Sequence, residues 1–359
     1  MRRRAPSRGS LGLSLASIVF SVATGCAGQL TYERLLDKPY ASEPLPARAR
    51  VFLIAGGVDV ANFAQEVVSQ RVYWRAQGLR DDEIVCYYAK PTAAGFVEDR
   101  EQFQELRRAL RACYPARAGL IQEHLELASR RAPPFLYVYI TTHGRSSFVE
   151  DPARLRAETN LSDDEIELLD QYFLQMGADP GLGVDAGGIV EAYRRGAAAH
   201  DLLLTPHSLG RALASFDPAT PKYLVLQGCH SGGFVDGEAE ERGLRAARVT
   251  SVENLTVITA ARHDRTSFGC DPGALMTYFG EVYSYLLFSQ EDGLPTTISW
   301  RGLYDALEQQ IAEIESVAEV KPSRPVFFSN VSGRVSASPS ASAPKGASTC
   351  AADPLACPE

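Results

Sequence analysis

The sequence has no excess of positive charge, no apolar run long enough to cross a membrane and no internal repeat. Each absence closes a class. With 36 Lys and Arg against 44 Asp and Glu the formal net charge is −8, and a nucleic-acid partner, which calls for a basic stripe, is not expected. The longest uncharged, mostly apolar stretch, 11–25, falls short of the ~20 residues of a helical span. No second Cys or His pair stands near Cys229-His230 at a zinc spacing, and the Gly- and Asp-containing stretch after Gly177 lacks the spacing of a calcium loop. Ser231 lacks the full pair of flanking glycines of a serine-hydrolase elbow. No metal and no cofactor is therefore expected.

What is present is a chain of 359 residues, 45% hydrophobic, enough for one large packed domain with appendages. Arg2, Arg3, Arg4 and Arg8 precede the 11–25 stretch, the layout of a signal peptide over 1–25. It ends in Ala23-Thr24-Gly25-Cys26, which resembles a bacterial lipobox with Cys26 as the lipidated residue; a plain secretory signal is the competing reading. Residues 26–47 then read as a lipid-anchored tether on the cell envelope. Ala27 is not the aspartate that retains lipoproteins in an inner membrane, which favours the outer membrane. Losing four arginines and no acid takes the charge from −8 to −12. Export would leave six other cysteines in an oxidising compartment, with Cys350 and Cys357, in a tail, the easiest pair. In 331–359, 19 of 29 residues are Ser, Ala, Pro or Gly and none is aromatic, so that tail is expected to be disordered.

Between these ends, residues 48–330 alternate strand and helix. Apolar runs at 51–55, 83–89, 135–142, 223–227 and 257–261 predict strands buried on both faces. The spacing of Phe63, Val67, Val68 and Val72 predicts a helix over 63–77, and further helices are expected over 100–113 and 120–131. This is an α/β pattern, three layers with a largely parallel central sheet flanked by helices. An insert of about 150–200 interrupts it. There Ser162-Asp163-Asp164-Glu165 forms a capping box for a helix expected to end near Gly177.

Ligands of open parallel sheets bind at the carboxyl ends of the strands. Two strands end in reactive residues, Thr141-Thr142-His143-Gly144 and Gln227-Gly228-Cys229-His230-Ser231-Gly232. A thiol and an imidazole at neighbouring strand ends form a nucleophile and proton-shuttle pair. Taken singly, each has a bland reading as a loop histidine or a small core residue.

With these motifs the sequence resembles the legumain-like (asparaginyl endopeptidase) family, related to the glycosylphosphatidylinositol transamidase and more distantly to the caspases. A hydrophobic strand followed by His-Gly, and another followed by acid or amide, small residue and Cys, are the signatures of that clan. Further segments are similar: 51–62, 82–85, Thr259 to Cys270, and Thr277-Tyr278-Phe279-Gly280-Glu281-Val282-Tyr283. The resemblance covers roughly 48–318 and implies a caspase-like fold and a cysteine endopeptidase acting on polypeptides. It implies Cys229 as nucleophile, His143 as proton shuttle and Asn62 as the residue orienting the histidine. Gly144 and Cys229 would supply the oxyanion-hole N–H groups, each donor worth ~3 kcal/mol. Gln227, Thr266 and Ser267 would line the substrate pocket.

The sequence departs from the family in several places. The family's Asn-Tyr-Arg-His loop reads Asn62-Phe63-Ala64-Gln65, so its specificity arginine is lost. Arg71 could restore that charge, or be an ordinary solvated helix arginine. Thr142 replaces the aspartate before the histidine, and Gln227 replaces the acid of the cysteine motif. His143 and Cys229 are 86 residues apart, about twice the family spacing. No C-terminal prodomain is expected, nor autoinhibition by one. The chain reads as a monomeric envelope peptidase. A catalytically silent peptide-binding lipoprotein and a transpeptidase or ligase are the alternatives.

Overall fold

The computed structural model describes residues 44–57, 61–89, 100–147, 152–177, 186–196, 199–236, 249–270, 274–290 and 293–331. The expectations for 1–25, Cys26, Cys350, Cys357 and the tail fall outside these residues. The first half of the chain runs β1 Val51–Ala55, α1 Asn62–Ala76, β2 Ile84–Tyr88, α2 Arg100–Ala109, β3 Tyr114–Pro115, α3 Ala118–Ser129 and β4 Leu136–Thr141. The insert follows as β5 Gly144–Arg145, α4 Pro152–Glu158, α5 Asp163–Leu169, β6 Phe173–Gln175, α6 Ala186–Arg194, α7 Ala199–Leu202 and β7 Leu203–Leu204. The second half is α8 Pro206–Ala214, β8 Lys222–Gln227, β9 Leu255–Thr259, α9 Tyr278–Phe288, α10 Trp300–Val317 and β10 Val326–Ser329.

Seven strands form one sheet in the order β10-β9-β8-β4-β1-β2-β3, parallel throughout except for β10 at the edge. Strand alternation divides the core between its two faces. Val51, Leu53, Tyr137, Tyr139, Tyr223 and Val225 join Phe63, Val67, Tyr283 and Leu307 from α1, α9 and α10. Phe52, Ile54, Val138, Ile140, Leu224 and Leu226 join Ile121, Leu125, Leu209 and Leu213 from α3 and α8. Burial on both faces is why these strands read as unbroken apolar runs. The α/β expectation, three layers around a largely parallel sheet, holds. Leu45 packs in the second cluster, and Arg131 bonds the carbonyls of Leu45 and Pro46, so packed chain begins inside the stretch read as tether.

Three elements shift. The helix expected over 120–131 lies at Ala118–Ser129. The helix expected over 100–113 stops at Ala109, where Cys113 leads into β3. The strand expected over 257–261 lies at Leu255–Thr259, in register with β8. Within the insert the capping box is present, with Ser162 and Glu165 bonding each other's backbone N–H, but its helix ends at Leu169. The remainder of the span expected to be helical contains β6, which pairs with β5 and β7 in a second, three-stranded antiparallel sheet. Those partners lie some thirty residues away on either side, so no local pattern announces the strand. Leu155, Ile166, Phe173, Ile189, Tyr193 and Leu203 give the insert its own small core. The buried Arg117–Asp201 ion pair fastens that insert to the start of α3.

Cys86, in β2, and Cys113 form a disulfide. Sequence reasoning favoured Cys350 with Cys357 and had no basis for this pair, since only the β2–β3 pairing brings Cys86 and Cys113 together.

Candidate active site

Strands β4 and β8 are parallel neighbours, and their last paired residues are Thr141 and Gln227. His143 and Cys229 therefore follow at matching positions, each two residues past the end of its strand. The Thr142 N–H extends the ladder to the Gln227 carbonyl at 3.1 Å. Beyond it the two loops converge. Gly144 packs its α-carbon against the Cys229 carbonyl, and a Cβ at Gly228 would lie 2.8 Å from the Thr142 carbonyl oxygen. Only residues without side chains admit this approach.

The His143 loop is held from the insert. The Gln175 N–H donates to the His143 carbonyl at 2.9 Å, and the Thr142 hydroxyl donates to the Gln175 carbonyl. Gly144 opposes Leu174 in β6. Because antiparallel residues alternate between bonded and non-bonded pairs, the His143–Gln175 bond turns the Gly144 N–H away from β6. An oxyanion site needs two N–H donors beside its thiol, and the Gly144 and Cys229 N–H groups are the candidates here. Sequence reasoning missed Gln175. Its one signal was a lone amide within the apolar run Tyr172-Phe173-Leu174-Gln175-Met176.

Cys229 and Cys270 are the cysteines outside the disulfide among the described residues. The Cys229 thiol donates to the Ser267 carbonyl at 3.6 Å. The next residue, His230, has φ 57°, in the left-handed region. Strain of about 1 kcal/mol there is offset by two bonds: its N–H to the Arg265 carbonyl at 2.8 Å, and its ring Nδ1 to the His263 carbonyl at 2.7 Å. The ring of His263 in turn bonds Asp236 at 2.6 Å. The loop carrying the cysteine is thus fastened to 261–267, a link no sequence motif revealed.

Asn62 is buried at the start of α1. Its Nδ2 donates to the Gly269 carbonyl at 2.7 Å, and its Oδ1 accepts the Phe63 N–H at 3.0 Å. The ring that meets His143 is that of Phe63, edge-on with centroids 5.1 Å apart. Asn62 thus reaches the histidine at one remove, through Phe63. Gln227 is fully buried, with Oε1 accepting the Thr141 hydroxyl at 2.8 Å and the Thr142 N–H at 3.2 Å. A backbone N–H only donates, which fixes the amide orientation and leaves Nε2 as the inner end. Gln227 Nε2 and the buried Ser267 Oγ have no partner among the described residues. Thr266 is exposed. Arg71 pairs with Asp81 at 3.3 Å on the surface and behaves as the solvated arginine of its alternative reading.

Residues 204–323 match the model of the Peptidase C13 family, the legumain family. Over that stretch the chain is similar to the family. The matched stretch contains β8, Cys229, Ser267 and α9, while Asn62 and His143 precede it. It supports a function of cysteine-peptidase type. Two solved structures are similar over most of the chain. Caspase-1 from Spodoptera frugiperda is 11% identical, with 82% of this chain and 92% of that chain covered and a TM-score of 0.42. Protein GSU0716 from Geobacter sulfurreducens is 13% identical, with 80% and 95% covered and a TM-score of 0.41. No curated protein matches the chain.

Proposed function

We propose that this protein is a cell-envelope cysteine endopeptidase that hydrolyses polypeptides through an acyl-enzyme. Cys229 is the nucleophile, His143 takes and returns its proton, and the Gly144 and Cys229 N–H groups hold the oxyanion. The observation that carries this reading is the β4–β8 register ending at Thr141 and Gln227, with Gly144 pressed on the Cys229 carbonyl. The thiolate adds to the scissile carbonyl, the imidazolium protonates the departing amine, and water activated by the same imidazole releases the acid. Transpeptidation would differ only in the acceptor.

The substrate pocket is proposed around Gln227, Thr266 and Ser267. Gln227 Nε2 is a donor and Ser267 Oγ a hydroxyl, both buried and without a partner among the described residues, so a P1 side chain bearing a hydrogen-bond acceptor would satisfy them. Side chains lacking that group leave them unpaired and are rejected. Attachment to an envelope membrane through Cys26 is supported by the lipobox-like sequence. The Cys86–Cys113 disulfide suits an exported protein. No helix among the described residues is long and apolar enough to cross a membrane.

Treating the purified protein with a peptidyl acyloxymethyl ketone and mapping the adduct by mass spectrometry tests the assignment. The expected product is one adduct on Cys229 whose formation needs His143. No adduct, with retained peptide binding, would instead favour a silent binder.

A further inference from the structure

A buried carboxylate that the dyad does not use lies beneath the site. Glu66 stands one turn after Asn62 on α1 and is wholly enclosed. It accepts the Tyr139 hydroxyl at 2.7 Å, the Thr277 N–H at 2.9 Å and the Thr277 hydroxyl at 2.7 Å. Among the described residues the titratable group facing it is Tyr139 from β4, whose ring stacks on that of Tyr283 from α9 with centroids 5.7 Å apart. Among the described residues no basic side chain acts on it, and burial pushes its carboxyl above the ordinary 4.5. A fully enclosed acid without a cation is costly, and an apolar residue would fill the same space more cheaply.

What distinguishes Glu66 is which segments it joins. Tyr139 and Thr141 alternate onto one face of β4, and the Thr141 hydroxyl holds Gln227 Oε1 at 2.8 Å. Thr277 caps α9, and the next residue, Tyr278, donates its N–H to the carbonyl of Phe268, beside Ser267, at 3.1 Å. Asn62 fastens Gly269 of the Ser267 segment, so α1 holds that segment and the α9 cap bonded to it at two points one helical turn apart. The Ser267 carbonyl receives the Cys229 thiol.

We infer that Glu66 is the positioning residue of the P1 pocket. Through Tyr139 and Thr277 it holds the strand that orients Gln227 and the stretch that carries Ser267 at a fixed separation, so that the two read one acceptor group of the substrate. This rests on the peptidase reading above. Glu66 touches neither substrate nor thiol.

The test compares two peptides that differ only at P1, asparagine against alanine, cleaved by the full-length protein and its variants. The ratio of their kcat/KM values does not depend on how much protein is folded, so a merely structural defect leaves it unmoved. Glu66→Ala is expected to lower that ratio by about tenfold or more, mainly through KM for the asparagine peptide. Glu66→Gln, which keeps the acceptor for Thr277, should restore it to within about threefold of the wild type. Alkylation of Cys229 by iodoacetamide should proceed at the wild-type rate in both. An unchanged ratio in Glu66→Ala overturns the inference. If that variant does not fold, Tyr139→Phe and Thr277→Val, each removing one arm, must lower the ratio, and wild-type ratios in both overturn it. Wild-type protein that cleaves neither peptide, or both equally, overturns the pocket reading itself and this inference with it.

Discussion

Gly144 lies so close to Cys229 that a Cβ on the glycine would run into the Cys229 carbonyl oxygen, with the carbonyl carbon 3.1 Å and the nitrogen 3.3 Å away. Both sides of that contact are backbone, so neither can turn aside. Gly144→Ala should therefore push the His143 loop away from the Cys229 loop and spoil the oxyanion donors. Expected effects are a loss of about 100-fold or more in kcat/KM and about 1–3 kcal/mol of stability. Steady-state kinetics and a denaturant melt check both. Wild-type values in the two would mean that the loops do not meet this way.

Cys229→Ala and His143→Ala should each remove nearly all peptidase activity and leave the melting profile of the fold intact. The double variant should be scarcely worse than either, because thiol and imidazole act as one unit. Asn62→Ala should be milder, acting on Phe63 and Gly269 instead of on a reacting atom. Residual turnover compared across the four proteins decides the matter. Additive losses would speak against a dyad.

The Cys86–Cys113 disulfide closes a loop with a sequence separation of 27. Chain-entropy arithmetic gives about 3.5 kcal/mol for such a loop, or roughly 7 °C in Tm for a domain of this size. The paired change Cys86→Ala with Cys113→Ala should lower Tm by that order without touching Cys229. A Tm within a degree of the wild type would show that the pair does not form in the folded protein.

Burial raises the Glu66 carboxyl above the 4.5 it has when exposed, with bonds from Thr277 and Tyr139 opposing that rise. A raised acid favours the fold most at pH below its unfolded value, and that contribution is lost as pH climbs towards the folded one. Gln stays neutral throughout. The Tm of Glu66→Gln relative to wild type should therefore improve as pH rises from 4 through the range above the ordinary 4.5. A difference that shrinks with rising pH would mean the carboxylate is better held than its burial suggests.

Cys26→Ser should release the protein from membranes into the soluble envelope or medium fraction, if two or more acyl chains are what holds it. Fractionation with mass spectrometry of the mature N-terminus is the measurement. A serine form that stays anchored would remove the lipid from the account.

Much of the architecture was legible in the sequence because it is written in local patterns. Strands buried on both faces must be continuously apolar, and each here is five or six residues of such a run. The helix of Phe63 and Val67 shows its period in the chain itself. His143-Gly144 and Gly228-Cys229 stand out for a related reason, since an apolar strand that ends in a reactive residue beside glycine is a break in pattern visible without a fold.

Everything that depends on partners distant in the chain was decided only by folding. Nothing near Gln175 says that its backbone will hold His143, because β6 is defined by pairing with β5 and β7 and not by its own three residues. Cys86 finds Cys113 only because β2 and β3 are neighbours. Asn62 stands where the resemblance implies the residue that orients the histidine, yet its amide is committed to the carbonyl of Gly269, 207 residues on, and Phe63 meets the histidine ring. Glu66 reads as a surface acid on a helix until Tyr139 and Thr277 close over it. The sequence determines which residues have the chemistry and which segments must be buried, since both are properties of side chains and their spacing. Which of those residues share a hydrogen bond depends on how strands pair across long loops, and that is a property of the tertiary structure alone.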